Sequence, residues 1–305
     1  MNKNDHVEKL LEDYNDVFAD IYNTLLFRKP LLKEDFLQFG PTESIYKNDS
    51  NATAEQRRDV LKIYQNQVNL VISSFGIENQ SSYDKYMPIR IMGYDAGSYN
   101  QQVKNVEKKK VIYPVITIVL NFSNRPWKEI KDLHSLLTIP DELKPFVKNY
   151  EITVFDIAFL EDDVINEFTS DFKAIARFFK DRRLNKNALA DNTVELKYPS
   201  AVTEFLAVFT NDSWYRDIND LIMESQKKGE RITMCNVAQA IAEKGIEKGI
   251  SQGIEQGRAE TLLEAIRNLM GSMKLTPEQA MAALSVPENE YGKYIELLKK
   301  STSNT

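Results

Sequence analysis

The run YPVITIVLNF at residues 113–122 constrains the fold more than any other part of the chain. It is a nearly continuous series of β-forming apolar residues, which is typical of a strand buried on both faces of a sheet. The segment 58–80 contains a second such run centred on Val71 and predicts a β-hairpin with its turn at residues 65–69. Residues 86–103 predict a helix that packs on this sheet.

Three further elements complete the predicted domain. Residues 7–27 carry apolar side chains near helical spacing and predict an amphipathic helix, which ends before Pro30 because proline disfavours helix at the preceding residue. Residues 151–159 predict another strand, and residues 161–179 predict one amphipathic helix. This mixture of helices, hairpin and strands indicates an α/β or α+β sheet domain.

The sequence changes character after about residue 225. Glycine recurs every fourth residue at positions 245–257, and Ile246, Ile250 and Ile254 follow in the same period. Four residues advance about 400° around a helix, so each row drifts slowly along one helix face. Each glycine costs a helix about 1 kcal/mol relative to alanine. Two interpretations are open: a close helix–helix contact that offsets this cost, or a helical linker of low complexity.

The end of the chain predicts a helical hairpin. Thr276 is its N-cap, Pro277 takes the first helical position, and Gln279 completes a capping box. The second helix starts at Pro287 and is rich in glutamate, which favours a packing or dimerisation module over a DNA-reading helix-turn-helix. The predicted organisation is a sheet domain at residues 1–225, a helical Gly-Ile linker or oligomerisation segment at 226–272 and the hairpin at 273–305.

Composition excludes several functional classes. The chain has 305 residues and a formal net charge of −6, which argues against broad electrostatic capture of DNA and leaves that work to local basic patches. Cys235 is the only cysteine, so neither an internal disulfide nor a cysteine-based zinc site is expected. The sequence has no run of 18 apolar residues and no signal-peptide pattern, so we expect no membrane contact and a cytoplasmic location. Neither a P-loop nor a G-x-G-x-x-G motif occurs.

Glu78 and Gln80 are the first candidates for catalysis. Both lie at the end of the predicted hairpin, where strand alternation turns their side chains to one face. A metal-dependent nuclease needs such a pair, because the carboxylate holds Mg²⁺ and its neighbour positions the attacking water. Asp59 starts the hairpin, and an antiparallel turn brings it within a few residues of Glu78 in register. The plainer interpretations are an exposed polar strand end and a capping or turn aspartate.

Four motifs together resemble one known family. They are RDVLK at 58–62, GIENQS at 76–81, MPIRIMGYD at 87–95 and YPVITIVLNF at 113–122. As a set they resemble the recombination-promoting nuclease/putative transposase family, a branch of the PD-(D/E)XK nucleases. The resemblance extends through residues 150–179 and into the Gly-Ile tail.

The resemblance implies a restriction-endonuclease-like α/β fold, with a mixed sheet flanked by helices and an α-helical tail. It also implies a DNA endonuclease that uses Mg²⁺ or Mn²⁺, with Asp59 and Glu78 as metal ligands and Gln80 positioning the water. The wider superfamily has lysine where this chain has Gln80, and glutamine orients only by hydrogen bonding. The alternative is a weak or inactive nuclease fold that acts as a DNA- or protein-binding regulatory module.

Further residues are expected around this site. The resemblance puts the helix that carries Arg90 at its border, where Arg90 would contact a phosphate or pair with a carboxylate. Asp16 and Asp20 share one face of the first helix and would either add to the site or remain solvated. DNA is the expected partner, and dimerisation through the tail would let each subunit address one strand. Candidate phosphate contacts, with solvated loops as the alternative, are Lys108, Lys109 and Lys110 in one cluster and Arg182 and Arg183 in another.

Overall fold

The computed structural model describes residues 11–40, 60–65, 69–77, 85–104, 112–128 and 130–302, with the backbone alone at 69–77 and 300–302. The chain divides into two compact units, Met1–Ile241 and Ala242–Thr305. The helices are α1 Asn15–Ile21, α2 Met87–Lys104, α3 Leu133–Leu136, α4 Asp162–Glu167, α5 Phe172–Arg183, α6 Pro199–Thr210, α7 Trp214–Asp217, α8 Asn219–Lys227, α9 Met234–Met273, α10 Pro277–Ala283 and α11 Tyr291–Thr302.

One mixed sheet organises the described part of the first unit, with its strands in the order β1-β2-β3-β4-β5. The strands are β1 Leu37–Phe39, β2 Val60–Gln65, β3 Asn69–Ile77, β4 Val115–Asn121 and β5 Thr153–Asp156. The pairs β1–β2 and β2–β3 are antiparallel, whereas β3–β4 and β4–β5 are parallel. The predicted hairpin is confirmed, because Gln65 pairs with Asn69 across its turn. The buried strand is also confirmed, since Ile118, Val119 and Leu120 of β4 have no exposed surface.

Helix α2 connects β3 to β4, as the expected helix at residues 86–103 should. Parallel neighbours need such a crossover, because the end of one strand and the start of the next lie at opposite edges of the sheet. Met87 and Ile91 of this helix are buried together with Val119 and with Trp127. One face of the sheet is therefore covered by α2.

The opposite face of the sheet packs against the larger core, to which α1, α5 and α6 contribute. Ile118 and Leu120 belong to this core, whereas Val119 between them faces α2, as the alternation of a strand requires. Phe122 follows β4 and lies among four phenylalanine rings of α5 and α6 at centroid distances of 4.8–6.2 Å. The sheet thus has helices on both faces.

The first predicted helix is less regular than expected. Within its described part, a 3-10 turn at Leu11–Asp13 precedes α1, and a π-helical turn at Tyr22–Phe27 follows it. Arg28 ends the helical run with a left-handed φ of 53°, two residues before Pro30. The strand predicted at residues 151–159 is confined to β5, and a 3-10 turn at Ile157–Phe159 follows.

The prediction of one helix over residues 161–179 is wrong. Residues 168–171 separate α4 from α5. The backbone N–H groups of Thr169 and Ser170 donate to the Asp20 carboxylate of α1, at 2.9 and 2.8 Å, instead of to helix carbonyls. Phe168 and Phe172 are both buried and four residues apart, so the helical periodicity of the sequence continues across the break.

The second unit has its own core, formed by the end of α9 with α10 and α11. Its fully buried members include Ile266, Ala280 and Met281. The predicted capping box is confirmed: the Gln279 N–H donates to the Thr276 hydroxyl at 3.3 Å, and the Gln279 side chain accepts from the Thr276 N–H at 3.0 Å. The second helix of the hairpin, α11, begins after a 3-10 turn at Glu288–Glu290.

The Gly-Ile rows lie in the middle of α9. Ile246, Ile250 and Ile254 are 58–67 % exposed, and a Cβ added at any of the four glycines of this row would meet nothing within 4 Å. A close contact within the described part of this chain therefore does not explain the glycines. Among the described residues, no helix combines the length and apolar character needed to cross a membrane.

Candidate functional site

Several of the predicted site residues lie outside the described residues. These are Asp59, Glu78, Gln80, Lys108, Lys109 and Lys110. The structure does describe Arg90, Arg182 and Arg183. It also describes the start of β2 at Val60 and the end of β3 at Ile77, which are next in sequence to Asp59 and Glu78.

That sheet edge is formed by the carboxyl ends of the parallel strands. Ile77 at the end of β3 pairs with Asn121 at the end of β4, and Asn121 pairs with Asp156 at the end of β5. The antiparallel strand β2 begins at the same edge, because Val60 pairs with Ser74, three residues before Ile77. In α/β sheets, ligands bind preferentially outside the carboxyl ends of the strands. We call this row the carboxyl edge.

Two polar side chains are fixed at the carboxyl edge. Asn121, which is almost fully buried, donates from Nδ2 to Asp156 Oδ1 at 2.7 Å and to the Arg125 carbonyl at 3.0 Å. Its Oδ1 accepts from the Ser123 N–H at 3.1 Å. The Trp127 N–H also donates to Asp156 Oδ1, at 2.9 Å. The second oxygen of Asp156, Oδ2, accepts no hydrogen bond from the described part of the chain, so this carboxylate is oriented by one oxygen and offers the other.

Polar side chains of α2 form hydrogen bonds with β4 and with the segments that precede β4 and β5. Asp95, almost fully buried, accepts from the Thr117 hydroxyl at 2.5 Å and from the Tyr150 hydroxyl. Burial and the Asp95 carboxylate both raise the pKa of Tyr150 well above its usual value. Further along α2, the amide of Gln102 forms two hydrogen bonds with the backbone of Tyr113, at 2.6 and 3.1 Å. These side chains hold the helix on the sheet.

Arg90 lies in the first turn of α2 and is half-buried. The same end of the helix packs beside the carboxyl edge, because Met87 and Ile91 contact Val119 and Trp127. The part of α2 that lies beside the carboxyl edge is therefore its first turn, which carries Arg90. Asp95 and Gln102 lie further along the helix, where they bind Thr117 of β4 and the backbone of Tyr113 just before β4.

The two predicted arginines of α5 differ in their surroundings. Arg183 donates from Nε to the Ala158 carbonyl at 2.7 Å, and its guanidinium lies 4.3 Å from the centroid of the Phe159 ring. Arg182, one residue earlier, is exposed and lines a groove together with Tyr215. Arg183 is thus committed to contacts inside the fold, whereas Arg182 faces solvent.

Asp16 and Asp20 are structural, not solvated, members of the first helix. The Asp20 carboxylate also accepts from the Ser170 hydroxyl at 2.7 Å. Asp16 is bonded to the Lys197 ammonium at 2.7 Å and to the Tyr198 hydroxyl at 3.2 Å. The hydrogen bond with Asp16 is the main reason that the pKa of Lys197 is raised. Both aspartates therefore tie α1 to segments that lie far away in sequence.

Within the described residues, no group of three or more histidine, cysteine, aspartate or glutamate side chains is arranged to hold a metal ion. Sequence reasoning did not identify Asn121 and Asp156. A signal was present, since each is a polar residue at the end of a run of apolar β-formers. This signal could not be used from the sequence alone, because only the structure shows that β4 and β5 are parallel neighbours whose ends lie at one edge of the sheet.

The comparison with protein families supports the resemblance found in the sequence. Residues 61–198 match the model of the family described as "Putative transposase, YhgA-like". This match extends from β2 to the segment bonded to Asp16, which is just under half of the chain, and it is consistent with the family predicted from the sequence. The family indicates a role connected with mobile elements or recombination, and nucleic acid as the partner. Neither the curated proteins nor the solved structures gave a match.

Proposed function

We propose that the chain is a metal-dependent DNA endonuclease with its reaction centre at the carboxyl edge. Asp59 and Glu78 serve as metal ligands, and Gln80 positions the attacking water. The observation that carries this proposal is that β2 begins and β3 ends at one edge. Asp59 immediately precedes β2 in the sequence, and Glu78 immediately follows β3. The restriction-endonuclease-like assignment of the mixed sheet belongs to the same proposal.

The donor set at this edge fits Mg²⁺ or Mn²⁺. Both are hard cations that prefer carboxylate, carbonyl and water oxygens. The described part of the edge adds Asp156, whose Oδ2 accepts no hydrogen bond from the described residues, to the two candidate carboxylates. When bound, the ion supplies a water of lowered pKa and stabilises charge on the scissile phosphate.

The protein's own part in the reaction is orientation. Gln80 would hydrogen-bond the attacking water, and unlike the lysine of the wider superfamily it adds no positive charge. Arg90, in the first turn of α2, is the candidate for contact with a phosphate next to the one that is cleaved. We expect a slower enzyme than a lysine-containing relative for this reason.

Plasmid nicking in Mg²⁺ or Mn²⁺ tests the proposal. Glu78→Ala should reduce nicking by at least about 100-fold, because even residues that only support metal ligands cost 10–100-fold when replaced. Glu142→Ala is a matched control, since Glu142 is an exposed carboxylate of the 3-10 turn Asp141–Phe146. Equal nicking by wild type and Glu78→Ala would refute the assignment.

A regulatory module on a nuclease fold is the second candidate, favoured by the net charge of −6 and by Gln80. It predicts no metal-dependent nicking by the wild type, with binding to DNA or protein retained. Metal-dependent nicking that is lost in Asp59→Ala would exclude it.

We also propose that two chains associate through the middle of α9. The support is the exposed row of Ile246, Ile250 and Ile254, beside glycines that would allow another backbone to approach closely. Association of two subunits suits an enzyme that must cut two strands. The cytoplasm, where DNA is accessible, is the proposed location.

A further inference from the structure

Helix α5 and the turn after it carry six cationic side chains that differ in what they contact. Lys173 donates to the Asn166 carbonyl, and Arg177 and Lys180 both bind the Asp162 carboxylate. Arg183 is bonded to the Ala158 carbonyl. The remaining two side chains make no hydrogen bond or ion pair with the described part of the chain. These two are Arg182 and Lys186.

Arg182 and Lys186 line one groove of about 270 Å³. Asn187 and Tyr215 line the same groove, between α5 and the start of α7. Tyr215 is only 6 % exposed, and its ring packs edge-on against the Phe178 ring with the two centroids 6.3 Å apart. Its hydroxyl has no hydrogen-bond partner among the described residues. The ring is buried while the hydroxyl opens into a groove with two cations, so this hydroxyl can donate a hydrogen bond to an acceptor bound there.

The charge of the groove selects the kind of acceptor. Asp212 also lines it, and its Oδ1 accepts from the Trp214 N–H at 3.0 Å. Two cations and one carboxylate leave a net charge of +1, which matches a phosphodiester with its single negative charge. Burial, followed by the Asp212 carboxylate, raises the pKa of Tyr215 to about 12, so the hydroxyl keeps its proton at neutral pH.

We propose that this groove binds one phosphodiester group of a nucleic-acid backbone. Arg182 presents its planar fork to the phosphate oxygens, Tyr215 donates a hydrogen bond, and Lys186 adds positive charge at the rim. The inference rests on the proposed DNA substrate but not on cleavage. An acidic chain does not attract DNA through its overall charge, so a local contact of this kind would have to supply part of the binding.

Fluorescence anisotropy with a labelled DNA duplex in EDTA tests the groove without cleavage. Arg182→Ala should weaken binding about tenfold, and Tyr215→Phe, which keeps the ring, should weaken it about threefold. Loss of one phosphate contact should also lower the slope of log K against log salt by about 0.9 for Arg182→Ala. Arg177→Ala is the matched control, because Arg177 is on the same helix but is bonded to Asp162. We expect it to bind as wild type.

Two results would overturn the inference: wild type that binds no DNA, or Arg182→Ala and Tyr215→Phe that both bind as tightly as Arg177→Ala. Displacement of the duplex by inorganic phosphate at matched ionic strength, in wild type but not in Arg182→Ala, would support the inference, because the two ligands would then compete for this groove. Failure of the nuclease proposal looks different. In that case wild type does not nick plasmid, while Arg182→Ala still weakens duplex binding.

Discussion

Replacement of Asp20 should destabilise the first unit more than replacement of any exposed carboxylate. Its Oδ2 accepts from the Thr169 N–H at 2.9 Å, the Ser170 N–H at 2.8 Å and the Ser170 hydroxyl at 2.7 Å. Asp20 is 8 % exposed, so these bonds form largely out of water. Together with the Thr169 hydroxyl, which donates to Asp20 Oδ1 at 3.2 Å, they tie the break between α4 and α5 to α1.

The magnitude follows from the groups left behind. A hydrogen bond to a charged group contributes about 1.5–3 kcal/mol, and Asp20→Ala removes three short ones. Thr169 is exposed and Ser170 is half-buried, so water can replace part of what is lost. We expect the free energy of unfolding to fall by about 2–4 kcal/mol, a large share of the 5–15 kcal/mol typical of a domain. Asp20→Asn keeps one acceptor oxygen and should lose about half as much.

Urea unfolding followed by tryptophan fluorescence is the appropriate assay. Both tryptophans, Trp127 and Trp214, lie in the first unit, so the signal reports that unit and not the whole chain. Glu224→Ala, on an exposed face of α8, is the control and should change stability by less than about 0.5 kcal/mol. A loss in Asp20→Ala no larger than in this control would refute the reasoning.

Two further predictions follow from single contacts. Between pH about 10 and about 12 the native state keeps the Tyr215 proton that the unfolded state loses, so the free energy of unfolding falls as the pH rises. Tyr215→Phe removes this titration and should make the fall smaller by about 2–3 kcal/mol, measured by urea unfolding at each pH. Thr276→Ala removes the capping box of α10 and should cost the second unit about 1 kcal/mol, seen as faster hydrogen exchange of the Gln279 amide; an unchanged exchange rate would contradict it.

The elements predicted correctly from the sequence are those whose signal is local. The strand β4 and the hairpin of β2 and β3 can be recognised from the sequence, because the run of apolar β-forming residues that predicts them is continuous along the chain. The break between α4 and α5 does not, because its cause, the Asp20 carboxylate, is about 150 residues away. The periodicity of Phe168 and Phe172 even favours the wrong, continuous helix.

The candidate site follows the same rule. The Glu78 and Gln80 pair is proposed from spacing together with the family resemblance and stays a prediction. Asn121 and Asp156 could not be paired from the sequence, because they become neighbours only when β4 and β5 lie side by side. Arg182 and Arg183 are adjacent in sequence and look equivalent there. Only the packing of Arg183 on Phe159 separates a structural arginine from one that is available to a ligand.

The exposed isoleucine row of α9 should give a weak dimer. Full burial of one isoleucine contributes about 1.5–3 kcal/mol, and six side chains that are roughly 60 % exposed would contribute about 5–11 kcal/mol in a pair of chains. Association itself costs about 4–15 kcal/mol, so the row alone supports only association at high concentration. Rows spaced by four residues on both helices favour a crossing near −50°.

Light scattering on a concentration series of the full chain checks this balance. The mass should rise with concentration in wild type and stay near that of one chain when Ile246, Ile250 and Ile254 are all changed to serine. Met223→Ser is the control, because Met223 is also exposed but lies on a different helix, α8. A mass that is constant at one chain in wild type, or a rise that survives the triple change, would assign the repeat to a linker. If the mass of the triple serine variant stays near that of one chain while the wild-type mass rises, the four glycines have a physical reason, because they allow the backbone of a second chain to come close.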